Sequence, residues 1–474
     1  MTTTVGWGAR ATRGAMWSGV NTIVLRLGGL VVGIVLARLL TPEQFGVYAV
    51  ALTVQAILMT VADLGLSADI IRTEDPDRIA PTVATLGLVS GGVLALVAAS
   101  SAGVLAEAMG SPSAAPAIAI LSITLLLGGL TVVPFGMLQR RFQQRELFLM
   151  GVVDFVISTT VTLALVAAGF GVLGLAIGRV TAQVVSSVLL FVLARVRPRF
   201  GVDRTQLRPV LAFGLPIAAA NLLSWTLLNV DNVVLARVAG ATALGFYVLA
   251  FNVSNWPMSA LSQVVRSISL PYFSRIERPA DGLPQVVSVA WAGALPAGAA
   301  LALLAAPVIE ILYGARWLPA AAVLAALGLY GGLRVVFDVF AGYLYAQGRS
   351  RPVLWVQLST LLVLTGTMIV AVNLWGIVGA GWAHLVVGVA VILPAYLVVL
   401  HRAGVAVAPI LRAAVPPTLA VIPAAAVALV ARMLLPEPIS ALLVGGAGFG
   451  VVYLLVLGPW ILRRVRILRG QSQP

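Results

Sequence analysis

Long apolar runs follow one another along this chain, each closed by glycine, proline or a cluster of charge. A helix rising 1.5 Å per residue needs about 20 apolar residues to cross a hydrocarbon core of about 30 Å. On that measure the pattern predicts fourteen spans, at 15–40, 45–68, 80–106, 115–138, 148–168, 172–194, 210–238, 243–270, 284–311, 319–345, 353–373, 376–400, 412–433 and 439–462. The first run follows Arg10 and Arg13 and is too long for a signal-peptide core, so it reads as a span. Connections are short throughout and leave no room for a soluble catalytic domain.

Composition supports this pattern. Hydrophobic residues make up 60% of the 474 and charged residues only 10%, with mean hydropathy +1.05. A soluble domain carries about 25% charged residues, so the expected class is an all-α polytopic membrane protein. The net charge of +14 would suggest nucleic acid if it formed a patch on a soluble domain. Here it is spread over short loops, and no nucleic-acid partner is expected. All thirty basic residues are arginine. Without lysine there is no Walker A motif, which excludes an ATP-driven pump in this chain alone. With no cysteine and two histidines, no metal or other cofactor is expected.

Arginine placement orients the spans. Arg26, Arg179, Arg266 and Arg334 fall inside spans, while Arg38, Arg237, Arg316 and Arg432 fall on one side. The other twenty-two fall on the opposite side, which the positive-inside rule makes cytoplasmic, together with both termini.

An internal repeat divides the chain. VLARLLTPEQFGVY (Val35–Tyr48) returns 199 positions later as VLARVAGATALGFY (Val234–Tyr247), and FGVLG at Phe170 returns as WGIVG at Trp375. The arginine-rich stretch Arg195–Arg208 reads as the linker. The expected organisation is two pseudo-symmetric six-helix lobes, 1–200 and 201–405, and two extra C-terminal helices with a basic tail, 406–474. Such repeats are typical of secondary transporters, with the substrate site between the halves.

The offset also aligns two polar stripes. Asn252, Asn255, Ser259, Ser262 and Arg266 share one face of span eight, and their counterparts on span two are Thr53, Ala56, Thr60, Asp63 and Ser67. Helix–helix hydrogen bonding is one reading. The charges Asp63 and Arg266 favour the other, a water-filled cavity between the halves.

A charge at mid-bilayer costs at least ~2.5–3.5 kcal/mol on the insertion scale, so its default reading is functional. Arg26 has no acid within four residues and needs another helix, water or a ligand. Arg334 and Asp338, four apart, are expected to pair with each other. Arg179 and Gln183 share a face of span six. Asp231 can hold a cation or proton, or pair with an arginine. His384 reads as a packing residue, although its ordinary pKa also makes it an ion-coupling candidate with Asp63 and Asp231. Asp69 and Asp154 read as solvated near the cytoplasmic side. Arg38 and Arg237 stand at helix C-termini, where the dipole favours a cation and the side chain can snorkel.

The phrases LLTPEQFGVY and, further on, ADLGLS (Ala62–Ser67), with VDNVVLAR and LGFY in the second half, resemble the bacterial polysaccharide flippases of the Wzx type. The likeness is to their lipopolysaccharide and teichuronic acid exporter branch, within the multidrug/oligosaccharidyl-lipid/polysaccharide superfamily. That resemblance implies two six-helix bundles around a central cavity lined by spans one, two, seven and eight. It implies transfer of a polyprenyl-diphosphate-linked oligosaccharide to the outer leaflet of the bacterial plasma membrane by alternating access. Cavity arginines would meet the diphosphate, a role that falls to Arg26 and Arg266, then Arg237 and Arg38. The remaining partners expected are membrane lipids and a coupling proton or sodium ion, for a monomer that is not an enzyme. A cation-coupled drug antiporter of the same superfamily is the alternative, and a membrane polymerase or glycosyltransferase a more distant one.

The topology is directly testable because the chain has no cysteine. A membrane-impermeant thiol reagent applied outside cells should label Arg316→Cys and leave Arg349→Cys unlabelled. The reverse pattern, or labelling of both, would refute the orientation.

Overall fold

The computed structural model describes residues 28–276 and 279–470. Among them the backbone is helical with no strand. The helices are α1 (Gly28–Leu39), α2 (Pro42–Ala62), α3 (Leu66–Arg72), α4 (Pro76–Ser100), α5 (Ala102–Ala108), α6 (Ala115–Leu121), α7 (Ile123–Arg140), α8 (Gln144–Ala167) and α9 (Gly171–Ala194). After them come α10 (Arg204–Arg275), α11 (Pro279–Leu303), α12 (Ala305–Tyr313), α13 (Pro319–Ala346), α14 (Ser350–Val387), α15 (Leu393–Arg402), α16 (Val407–Leu434) and α17 (Pro438–Gly470). Twelve helical stretches among the described residues are long and apolar enough to cross a membrane. Two of them are of double length, Asn229–Ser274 and Ser350–Arg402, and they bend at Gly240 and Gly376. This is a multi-pass, all-α membrane protein.

The repeated phrase is a helix, a corner and a second helix. In the first copy Thr41 is the corner, in extended backbone, and it caps α2. Its hydroxyl accepts the Gln44 N–H at 3.2 Å, and the Gln44 side chain accepts the Thr41 N–H at 3.1 Å. That is a reciprocal capping box, followed by proline at the first helical position. In the second copy the corner is Gly240, 199 positions on, at φ 83°, where only glycine turns without strain. The second echo also has a backbone reason. Gly171 and Gly376 both have positive φ, 52° and 58°. Three residues on, a Cβ at Gly174 would meet Leu165 and Val166, and one at Gly379 would meet the Ala371 carbonyl. Each FGVLG-type phrase therefore turns a helical hairpin and then packs its two legs tightly.

The chain folds as two compact units, one ending at Gly245 and the other starting at Phe246. Each contains the same sequence of backbone events. In the first, α4 breaks at Ser101 (φ −100°, ψ 13°) into α5, then Gly110 (φ 71°) leads into a single 3₁₀ turn. In the second, α11 breaks at Leu304 (φ −102°, ψ 17°) into α12, then Gly314 (φ 96°) leads into a 3₁₀ turn. Lipid offers no hydrophobic gain for helix association, so close backbone approach has to supply it. A Cβ on Gly87 of α4 would lie 2.5 Å from the Gly129 carbonyl oxygen of α7. In the second unit a Cβ on Gly298 of α11 would lie 2.5 Å from the Gly328 carbonyl oxygen of α13. The C-terminal helices α16 and α17 pack on α11 through Ala420, Ala424, Ala428 and Phe449, and the Tyr453 hydroxyl donates to the Ala292 carbonyl at 2.7 Å.

Within the first unit the two copies of the repeated phrase meet. A Cβ on Gly46 would run into the Ala241 carbonyl oxygen, and one on Gly245 into the Pro42 carbonyl oxygen. Both pairings join a glycine to the first residue after the opposite corner, so the contact is reciprocal. Gly46→Ala and Gly245→Ala should each cost about 1–3 kcal/mol through overpacking. Thermal melting of the purified protein should show the loss, while Gly33→Ala, which meets nothing within 4 Å, melts like the parent. Equal melting of all three variants would show that the contact is not constraining.

Candidate functional site

The first unit holds an open cavity of about 770 Å³ walled by α1, α2, the start of α3, α7, α8 and α9. Its shape depends on a break in the second span. Helix α2 stops at Asp63, and Leu64 and Gly65 adopt left-handed backbone (φ 47° and 66°) before α3 starts. The turn is held from behind by α10, since a Cβ on Gly65 would lie 2.5 Å from the Gly214 carbonyl oxygen. Asp63 and Ser67 are thereby presented on the cavity wall with Tyr48 and Met59. The sequence pattern reads this span as unbroken; the ADLGLS phrase is in fact a corner.

Opposite stand the polar faces of α8 and α9. The Arg179 guanidinium donates to Asp154 Oδ2 at 2.9 Å, and the Ser186 hydroxyl donates to Asp154 Oδ1 at 3.0 Å. Both carboxylate oxygens are occupied, and Gln183 and Ser158 also line the space. Asp154 was expected to be solvated; instead it is ion-paired across two helices. Asp69 departs from expectation in the same way. It is buried and pairs with Arg72 at 3.0 Å, whose guanidinium also sits 4.0 Å above the Phe213 ring. The cavity side of α8 and α9 was missed as a site, although the signal was present. Asp154, Ser158 and Thr162 recur every four residues, and Arg179, Gln183 and Ser186 at four and three, the same one-face spacing that exposed the stripe on span eight.

The second unit carries a different polar arrangement. Arg266 of α10 donates to Asp338 of α13 at 2.7 Å, and Arg334 Nη1 reaches Asn255 Oδ1 at 3.4 Å. The expected pairing of Arg334 with Asp338 along one helix is therefore not formed. Both α13 side chains reach across to α10, where Arg266 offers Asp338 a full opposite charge. Arg266 remains 59% exposed, so most of its donors are still available.

The other candidates divide as follows. Arg26 lies outside the described residues. Thr53 and Thr60 bond back to the Ala49 and Ala56 carbonyls, and Ser259 to that of Trp256. Ser262 is buried and Asn252 exposed. Asp231 is buried in α10, with the Asn232 N–H 3.0 Å from its Oδ1. Arg38, in the last turn of α1, is exposed, and Arg237 donates to the Glu107 carbonyl at 3.1 Å. His384 is buried with Nδ1 3.0 Å from the Ala380 carbonyl and its ring edge-on to Tyr330 at 5.3 Å.

Residues 35–322 match the family described as polysaccharide biosynthesis protein, a span of more than half the chain. The chain belongs to that family. It is similar to the lipopolysaccharide biosynthesis protein WzxC of Escherichia coli, 27% identical over 71% of this chain and 70% of that one. It is likewise similar to the succinoglycan biosynthesis transport protein ExoT of Rhizobium meliloti, 27% identical over 70% and 69%. The teichuronic acid biosynthesis protein TuaB of Bacillus subtilis is 22% identical over 79% of each chain. The fold of this family member is that of the lipid II flippase MurJ in an inward closed conformation, at TM-score 0.74 and 14% identity over 94% of this chain and all of that one. An inward-facing multidrug MATE transporter follows at TM-score 0.61 and 18% identity, over 81% and 97%.

The Arg179–Asp154 pair sits at partial exposure, 37% and 22%, so each charge leans on the other. Removing one partner strands the second. Arg179→Gln and Asp154→Asn should each lower the melting temperature, and the Asp154→Asn/Arg179→Gln double variant should lower it by less than the two losses added. A double-mutant cycle should return a coupling of about 1 kcal/mol; simple additivity would show that the pair contributes nothing.

Proposed function

We propose that this protein is a flippase that moves a polyprenyl-diphosphate-linked oligosaccharide, or a related polysaccharide precursor, across the bacterial plasma membrane by alternating access. The observation that carries the reading is a member of a polysaccharide biosynthesis family built on the fold of a lipid flippase. The chemistry of the charged groups agrees with an anionic substrate. Arg266 uses one of its five N–H groups on Asp338 and has the rest to offer a phosphate oxygen. Arg26 is proposed as its counterpart in the first half, with Thr53 and Thr60 of lobe 1–200 and Asn252, Asn255, Ser259 and Ser262 of lobe 201–405 as further substrate-binding residues. Both termini are assigned to the cytoplasm on the arginine distribution.

Asp63, placed on the wall of the first unit's cavity, is the leading candidate for proton or sodium coupling, ahead of Asp231 and His384. A cation-coupled drug antiporter is the second reading, supported by the MATE-like fold and by that carboxylate. The 59% exposure that Arg266 keeps beside Asp338 weighs against it, since a drug cation would be repelled there.

Arg26→Ala and Arg266→Ala should each abolish polymer export while the protein still reaches the membrane in normal amount. Because Arg266 also neutralises Asp338, the Arg266→Gln/Asp338→Asn pair separates the two roles. It should restore a normal melting temperature without restoring export. Full export by both alanine variants would end the cationic-path reading.

A further inference from the structure

A second concavity of about 510 Å³ lies in the first unit, where α4 begins and α7 and α9 end. Arg141, Arg195, Arg197 and Arg199 line it, with a single acid, Asp77, among the lining residues. None of these arginines forms an ion pair among the described residues. Arg195, Arg197 and Arg199 are exposed, so these guanidinium groups edge an open concavity, where an anion among them would relieve their mutual repulsion.

The segment that carries three of them is built into place. Arg195 takes a left-handed conformation (φ 52°) at the end of α9, and Arg141 donates to the Ala194 carbonyl at 2.7 Å. Val196 packs into the apolar cluster around Leu138 and Leu190. Further on, the Gly201 N–H donates to the Thr85 hydroxyl at 2.9 Å, and the Asp203 N–H to the buried Thr82 hydroxyl at 3.1 Å. Asp203 then accepts from the Thr205 N–H and hydroxyl at 2.8 and 2.6 Å, contacts that hold its carboxyl below the ordinary aspartate range. The loop is thus strapped to the second and third turns of α4 and tied off at the start of α10.

We propose that this pocket binds the phosphate headgroup of an anionic phospholipid. The guanidinium forks match phosphate oxygens, and a basic pocket between membrane helices on the cytoplasmic side suits such a headgroup. The rest of the wall argues for a lipid over a soluble anion. Leu130, Val133 and Phe191 form an apolar flank beside the arginines. From Phe191 an exposed apolar ridge runs down α9 through Val192 and Val188, which are 65% and 62% exposed and one turn apart. An acyl chain leaving the pocket therefore has an apolar track that a free phosphate ion would not need. This assignment is independent of the transport reading.

The test uses the purified full-length protein in neutral detergent, with native mass spectrometry and thermal melting against added dioleoylphosphatidylglycerol. Dioleoylphosphatidylcholine and sodium phosphate are the comparison arms. Phosphatidylglycerol should be retained as a saturable adduct and raise the melting temperature. Arg195→Gln/Arg197→Gln/Arg199→Gln should weaken its binding about tenfold, whereas Arg349→Gln/Arg351→Gln, in another basic turn, should not. Equal binding by the triple variant would overturn the proposal. So would the same stabilisation by phosphatidylcholine, or by sodium phosphate alone, which would mark a soluble-anion site. Crosslinking of a photoactivatable phosphatidylglycerol to the parent protein needs no variant to fold. It should map to residues 191–200, and labelling confined to other segments would equally overturn the assignment.

Discussion

The reciprocal approach of Gly46 to the Ala241 carbonyl and of Gly245 to the Pro42 carbonyl leaves no room for a side chain at either glycine, and the approach at Gly46 is the tightest at any described glycine. Each glycine lies four residues beyond the residue its counterpart touches, so the two corners must stay in register. A side chain at either glycine would separate backbones that now meet directly. That explains why the repeated phrase keeps its glycine while the corner itself changes from threonine to glycine. At the corner the backbone needs only a turn, which a capping box and a left-handed glycine supply equally well. At the contact it needs the absence of a Cβ, and only one residue meets that need.

Close packing of this kind also decides how charge is carried inside the bilayer. With helices held at backbone distance, polar side chains reach neighbouring helices rather than lipid. Asp154 and Arg179 join α8 to α9, and Arg266 and Asp338 join α10 to α13. Arg140 at the end of α7 donates to the carbonyls of Ile71, Thr73 and Glu74, which α3 leaves open as it ends. A buried charge without such a partner would cost several kcal/mol, so these pairings are structural before they are anything else. Arg266 differs from Arg179 in keeping most of its surface after pairing.

Periodicity and spacing made much of this legible. Within the described residues the apolar runs fall on helices, and the 199-residue offset predicted a repeat whose corners, breaks and 3₁₀ turns recur in the backbone. Side-chain partners were less legible, and the reason is physical. Spacing along one helix ranks Arg334 first for Asp338, yet the choice was made across helices, where only packing places Arg266 nearer. Asp69 and Asp154 looked solvated because they lie toward the ends of their spans. Neighbouring helices bury the one and hold the other in an ion pair. The Leu64–Gly65 turn escaped the hydropathy pattern because both residues are compatible with a continuing apolar helix. Only the approach of Gly214 explains why the chain turns there.

That turn is also where the two copies part company. Asp63 to Ser67 forms a corner that brings a carboxylate onto a cavity wall, whereas the aligned stretch Ser262 to Arg266 stays helical and ends in a guanidinium tied to α13. A duplicated frame thus carries opposite charges at nearly matched positions. An acid on a cavity wall suits a group that takes up and releases a cation. A half-exposed arginine suits a group that holds an anion. The repeat supplies two comparable scaffolds; their aligned residues differ, Asp63 against Ser262 and Ser67 against Arg266, and the break at Leu64 and Gly65 adds a difference in how the side chains are presented.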